Sequence, residues 1–306
     1  MSTKSAGTLY TIGAYLLWGV FPLYFIALAP TGPFEVVAWR LLLTLVFCVL
    51  LLLVTRGWER LRTIWRQPRL LFLTAFAGVL IYINWQVFVI AALSGHVVET
   101  SLGYFINPIF TVLLGVLVLH ERIRTAQWVA IGIAAVAVGV IIVAYGTFPW
   151  IALSLTASFG LYGLVKKKIG PSVDAVSGLT LESFWMIPIA VVILIVVTGD
   201  GGITMGTVSP LHTGLLLCAG IATAIPLLLF AAGTRRVDLS LVGMIQFITP
   251  IMQFLVGWAI LGEPMPAERW IGFVLVWIAI GVFVVDIVVH GRRGRRGKRP
   301  EPAELV

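Results

Sequence analysis

Apolar residues run along this chain in stretches of about twenty, separated by short clusters of charge, glycine and proline. A bilayer core about 30 Å thick takes roughly 20 apolar residues of helix to cross. The windows between breaks predict ten spans: residues 8–28, 34–55, 70–92, 97–119, 126–145, 149–165, 177–198, 211–232, 239–261 and 267–289. Span six is the most diluted, by Ser154, Thr156 and Ser158, and Lys166 follows it at once. The first stretch is long, lacks a convincing small-residue cleavage site and reads as a retained helix. Ten spans occupy nearly the whole chain, which leaves no length for a soluble catalytic domain.

Composition agrees with that pattern. The chain is 60% hydrophobic and 11% charged, with a mean hydropathy of +1.06, whereas soluble domains carry about 25% charged residues. Cys48 and Cys218 both lie in apolar runs with no metal-ligand or disulfide spacing, so neither a metal nor a cofactor is expected.

Positive charge orients the spans. Arg56, Arg60, Arg62, Arg66 and Arg69 follow span two, Arg122 and Arg124 span four, Lys166 to Lys168 span six, and Arg235 and Arg236 span eight. Lys4 and the run from Arg292 to Arg299 sit at the termini. If the spans alternate, all of these share one side and the other receives only Arg269. Basic loops stay cytoplasmic, so both termini are expected in the cytoplasm of an inner-membrane protein. The basic tail starts directly after the last span and reads as an anchor at anionic headgroups, not a nucleic-acid binder. The net charge of +8 then needs no partner beyond the bilayer.

The chain also repeats itself at an offset of 142 residues. Phe105-Ile106-Asn107-Pro108-Ile109 matches Phe247-Ile248-Thr249-Pro250-Ile251, and Gly115, Leu119, Glu121, Trp128 and Gly139 match Gly257, Leu261, Glu263, Trp270 and Gly281. Across 105–143, 13 of 39 positions are identical. Five spans per copy is an odd number, so the second copy is expected upside down, with units at 1–146 and 147–291 and a tail at 292–306. Inverted repeats are a recurring construction of secondary transporters, with the substrate site near the midplane between the copies.

Pro108 and Pro250 fall mid-span at matching positions and free the carbonyls of Tyr104 and Gln246. Free carbonyls at membrane depth require protein, polar side chains or water. The expected substrate pathway is therefore lined by Tyr104, Asn107, Pro108, Gln246, Thr249 and Pro250; the alternative is a packed kink. Asn84 and Trp85 in span three suit a pocket for an amphipathic organic molecule, or serve as interhelical glue.

Ionisable groups within spans cost about 2.5–3.5 kcal/mol on insertion scales and mark function. Arg40 lies six residues into span two, about 9 Å below the external surface. Glu99, at the external end of span four, is its expected partner; Glu35 is a second candidate at a poor spacing. Glu182 lies at the cytoplasmic end of span seven, nearest Lys167 or Arg235, and Asp286 is expected to meet the interface or the basic tail. No HExxH, nucleophile elbow or Walker loop occurs, and His96-x-x-Glu99 lacks a further metal ligand. Enzymatic activity is not expected.

The paired Pro–Gly–Glu–Trp–Gly pattern resembles the EamA repeat of the drug/metabolite transporter superfamily. Tyr15-Leu16-Leu17-Trp18-Gly19, Asn84-Trp85, Gly95-His96-Val97-Val98-Glu99 and Ser101-Leu102-Gly103-Tyr104-Phe105-Ile106-Asn107-Pro108 are similar to the RarD permease group. The resemblance covers about residues 8–289. It implies ten helices in inverted repeats and alternating access without ATP, but no particular substrate. The expected function is a secondary-active permease exporting a small organic metabolite or drug-like compound, with a passive channel or lipid scramblase as the alternative. Substrate identity, proton coupling and a homodimer stay open.

Overall fold

The computed structural model describes residues 3–120, 123–145, 148–234, 236–237, 241–242 and 245–296. The Glu121–Arg122 turn, Arg235 and the tail beyond residue 296 lie outside the described residues. Helices account for every regular element among the described residues: α1 (Thr3–Gly19), α2 (Phe21–Ile26), α3 (Pro33–Thr55), α4 (Trp58–Trp65), α5 (Pro68–Leu93), α6 (Val97–Leu119), α7 (Thr125–Tyr145), α8 (Trp150–Ile169), α9 (Ala175–Asp200), α10 (Pro210–Leu217), α11 (Ala219–Thr234), α12 (Ile248–Leu255) and α13 (Ala267–Arg296). A wider π-type turn, Val256–Ile260, extends α12.

Among the described residues, seven segments are long and apolar enough to cross a membrane: α3, α5, α6, α7, α9, the α10–α11 stretch and α13. The three remaining expected spans are the interrupted or polar ones. Span one divides into α1 and α2, because Pro22 cannot donate to the carbonyl of Trp18. Span six is α8, whose last turn carries Lys166, Lys167 and Lys168. Span nine is broken by a turn at Gln246 and Phe247 before α12 begins. Pro250 was expected mid-span; it sits in the first turn of α12, where its missing N–H leaves no helical bond unmade. Pro108 does lie inside a helix, α6.

The basic stretch after span two is not only a loop. It forms α4, which exposes Arg60 and Arg62 and buries Ile64 against Ile169, Val173 and Leu181.

The helices pack in a regular scheme. The principal contacts join α6 to α8 and α12 to α1, α5 to α8 and α11 to α1, α11 to α3 and α5 to α9. Three further contacts join α3 to α9, α6 to α12 and α7 to α13. The largest apolar cluster lies where α2, α3, α5 and α9 meet and includes Phe25, Leu41, Trp85, Phe88 and Met186.

Candidate functional site

Arg40 is the only buried lysine or arginine among the described residues, at 4% exposure. Helix α3 carries it inward behind Gly32 and Pro33, the latter at a helix start that suits proline. Its guanidinium carbon lies 4.1 Å from the centre of the Trp85 ring, 5.4 Å from Phe25 and 5.6 Å from Phe21. Its Nε–H donates to Thr223 Oγ1 at 2.7 Å. That contact needs α11 close against α3, and Gly220, three residues before Thr223 on the same face, supplies the approach. A Cβ at Gly220 would strike the backbone of Leu43. Gly220→Ala should therefore lower the unfolding midpoint and, in a structure, lengthen the Arg40–Thr223 contact. An unchanged midpoint would refute the close-approach argument.

The aromatic wall continues from Arg40. Phe25 meets Phe88 at 5.9 Å between centroids, Phe88 meets Tyr104 at 6.0 Å, and Tyr104 stands perpendicular to Phe159 at 6.1 Å. Tyr104 Oη donates to Asn84 Oδ1 at 3.1 Å. Asn84 Nδ2 donates to the Leu155 carbonyl and to Ser158 Oγ, both at 3.2 Å. One amide thus fastens α5, α6 and α8 together. Among the sequence-predicted residues, Trp85, Asn84 and Tyr104 gather with Arg40 around this wall.

The others go elsewhere. Thr249 Oγ1 donates to the Tyr15 carbonyl at 2.7 Å, and Gln253 Nε2 reaches the Trp18 carbonyl, freed by Pro22, at 3.4 Å. These side chains dock α12 on α1. Gln246 is part-buried at the turn before α12. Asn107 is buried beside Gly160 of α8, with its Oδ1 unpartnered, while Thr111 donates to its carbonyl at 2.9 Å.

The expected Arg40–Glu99 pair is not formed. Glu99 Oε1 accepts instead from the backbone N–H groups of Ile151 and Ala152, at 3.1 and 3.3 Å. The reason is local: α8 starts after Pro149, which has no side-chain acceptor to cap it, and a carboxylate at a helix N-terminus supplies both hydrogen bonds and favourable charge. Glu35 is likewise engaged, by the N–H groups of Thr204 (2.8 Å) and Met205 (3.3 Å), by Thr204 Oγ1 and by the Trp39 indole. Glu182, 1% exposed, accepts from Lys166 Nζ at 2.6 Å and Tyr162 Oη at 3.0 Å. The lysine is one position before the one expected. Asp286 pairs with Arg124 at 2.6 Å, and the tail that it was expected to meet lies outside the described residues beyond 296.

Sequence reasoning missed two further polar features. Glu263 accepts from the N–H groups of Val97 (2.6 Å) and Val98 (2.8 Å) at the start of α6. His212 Nε2 lies 3.0 Å from the Leu28 carbonyl and 2.8 Å from Thr31 Oγ1, which is 2.7 Å from Thr204 Oγ1 and so joins the Glu35 cluster. For Glu263 the signal was present, since the repeat pairs it with Glu121. For His212 nothing in the sequence distinguished one histidine after a Ser-Pro turn.

The EamA-like transporter family matches twice, at residues 5–144 and 148–285. A protein named RarD from Streptomyces exfoliatus is 42% identical over 95% of this chain and 92% of its own. RarD of Escherichia coli is 38% identical over 94% and 96%. A "chloramphenicol-sensitive protein RarD" of Pseudomonas aeruginosa is 29% identical over 92% and 94%. One crystal structure, 18% identical, superposes with a TM-score of 0.58 over 97% of this chain and all of the other, which supports the fold alone. The chain is a multi-pass membrane transporter and belongs to the EamA-like transporter family, among its RarD-like permeases.

Proposed function

We propose that the chain forms ten spans in two inverted repeats, 1–146 and 147–291, with both termini and the 292–306 tail in the cytoplasm. It works as a secondary-active permease that exports a small organic compound by alternating access, without ATP. The observation that carries this reading is the exchange symmetry of the packing. Equating spans one to five with six to ten turns the α6–α8 contact into α12–α1, α5–α8 into α11–α1, and α11–α3 into α5–α9. The α3–α9, α6–α12 and α7–α13 contacts each map onto themselves. Two copies related by a two-fold axis produce this set; five spans per copy, an odd number, lays that axis in the membrane plane, and rocking one copy against the other opens the ends in turn. Arg40, Trp85, Asn84 and Tyr104, with the aromatic wall, form the substrate site in this reading.

Reporter fusions joined after residue 121 and after residue 263 should report opposite sides of the membrane. Both on one side would end the inverted reading. Metabolite profiling of cells lacking or overproducing the protein should show one compound class accumulating inside or outside respectively. In vesicles, saturable flux with trans-stimulation marks a carrier, and its absence a channel.

A further inference from the structure

Among the described residues, Glu35, Glu99 and Glu263 are each held by backbone N–H groups, Glu182 by Lys166 and Tyr162, and Asp286 by Arg124. Arg40 has no carboxylate. Its ionisable neighbours are Tyr104 and Tyr24, and only its Nε–H meets an acceptor, Thr223 Oγ1. The fork formed by its two terminal nitrogens meets no acceptor among the described residues.

The neighbours present do not compensate that charge. A desolvated cation gains less from an aromatic face than burial of its charge costs it. Trp85 covers the face of the guanidinium and Thr223 takes its Nε edge, so the terminal edge presents parallel N–H donors. That edge matches a carboxylate or a phosphate bidentately. Phe21 and Phe25 stand beside the guanidinium, and Phe88 and Tyr104 continue the wall from Phe25, surfaces for an apolar ring rather than for more charge.

We propose that Arg40 is the anion-recognition residue of the transport site, and that the substrate class is an amphipathic organic anion: one carboxylate or phosphate on an apolar, ring-bearing body. This rests on the transport reading above and narrows it. It also suits export without ATP, because a monovalent anion leaving a negative interior moves down the membrane potential.

The test is binding to the full-length protein in lipid nanodiscs, read by titration calorimetry against empty discs. The probes are benzoate, indole-3-acetate and phenyl phosphate, with indole-3-acetamide and tryptamine as neutral and cationic counterparts. The three anions should bind saturably, with indole-3-acetate about tenfold or more tighter than its amide, the size expected of one charge-assisted pair. R40Q should erase that preference, and R40K should keep part of it, retaining charge but not the fork. If R40Q does not purify as a single species, the ranking on the native protein decides alone. Amide or amine binding as tightly as the acid, no saturable binding of any anion at millimolar concentration, or an undiminished preference in R40Q would each overturn the proposal. The two readings fail separately. Neutral or cationic compounds accumulating in cells that lack the protein would sink the anion assignment and leave transport standing. Anion binding without flux in proteoliposomes would uphold the site and sink transport.

Discussion

Lys166→Met should destabilise the protein by about 3–5 kcal/mol, and Glu182→Gln by only about 1–2 kcal/mol. The asymmetry follows from where each group can go when its partner is lost. The Glu182 side chain is 1% exposed and sits where α9 presses on α5, with its backbone against Gly78. Without Lys166 it keeps only the Tyr162 hydrogen bond and remains a charge it cannot move to water. The Lys166 side chain is 29% exposed at the last turn of α8. Without Glu182 it can extend its stem and carry the ammonium to the interface. The double variant K166M/E182Q should therefore be more stable than K166M, because it removes the stranded charge and leaves Tyr162 an amide oxygen to donate to. Unfolding midpoints in mild detergent, with all three variants measured together, decide it. A larger loss for E182Q than for K166M would refute this account of the pair.

How much of this was legible in the sequence divides along physical lines. Long apolar runs report helices directly, so α3, α5, α6, α7 and α9 lie within two residues of their expected bounds, while α13 starts at Ala267 as expected and runs on past residue 289 to Arg296. Breaks inside a span are harder to read. Pro22 divided span one and Pro108 did not divide α6, although both are single prolines in apolar runs. The outcome depends on whether a neighbouring helix takes the freed carbonyl, as Gln253 does for Trp18, and no one-dimensional pattern carries that. Charge behaved similarly. Depth along a span placed Arg40 and Glu99 at one level, but depth leaves the angle around the bundle undetermined. It also ignored the competing acceptor need at the start of α8, where Pro149 leaves bare N–H groups. The aromatic and amide cluster of Asn84, Trp85 and Tyr104 was visible as composition; that Arg40 stacks on Trp85 became visible only when α3 met α5.

Glu263→Ala should cost about 2–5 kcal/mol, and it should loosen the start of α6 rather than unfold the bundle evenly. Its two carboxylate oxygens take the N–H groups of Val97 and Val98, the first of α6, whose preceding residue His96 provides no side-chain cap. Removing the carboxylate leaves two buried donors bare at about 1–3 kcal/mol each, and takes away the anion that complements the helix dipole. The placement of Glu263 explains two landmarks of the internal repeat at once. Its own N–H donates to the carbonyl of Gly257, and Gly257 packs so tightly on α6 that a Cβ there would lie 2.8 Å from the Val98 nitrogen. Glycine lets the π-type turn approach, and the glutamate six residues on caps the helix it has approached. Glu263→Gln keeps one acceptor but loses the charge, so its cost should fall between those of the native protein and the alanine variant. Gly257→Ala should mimic the alanine variant by prising the cap away while leaving the carboxylate in place. Hydrogen exchange at Val97 and Val98, followed by mass spectrometry, reads this locally: both should exchange faster in all three variants, and the Tyr104 region much less so. Equal acceleration along the whole of α6 would show a global loss of stability, and the capping account would be wrong.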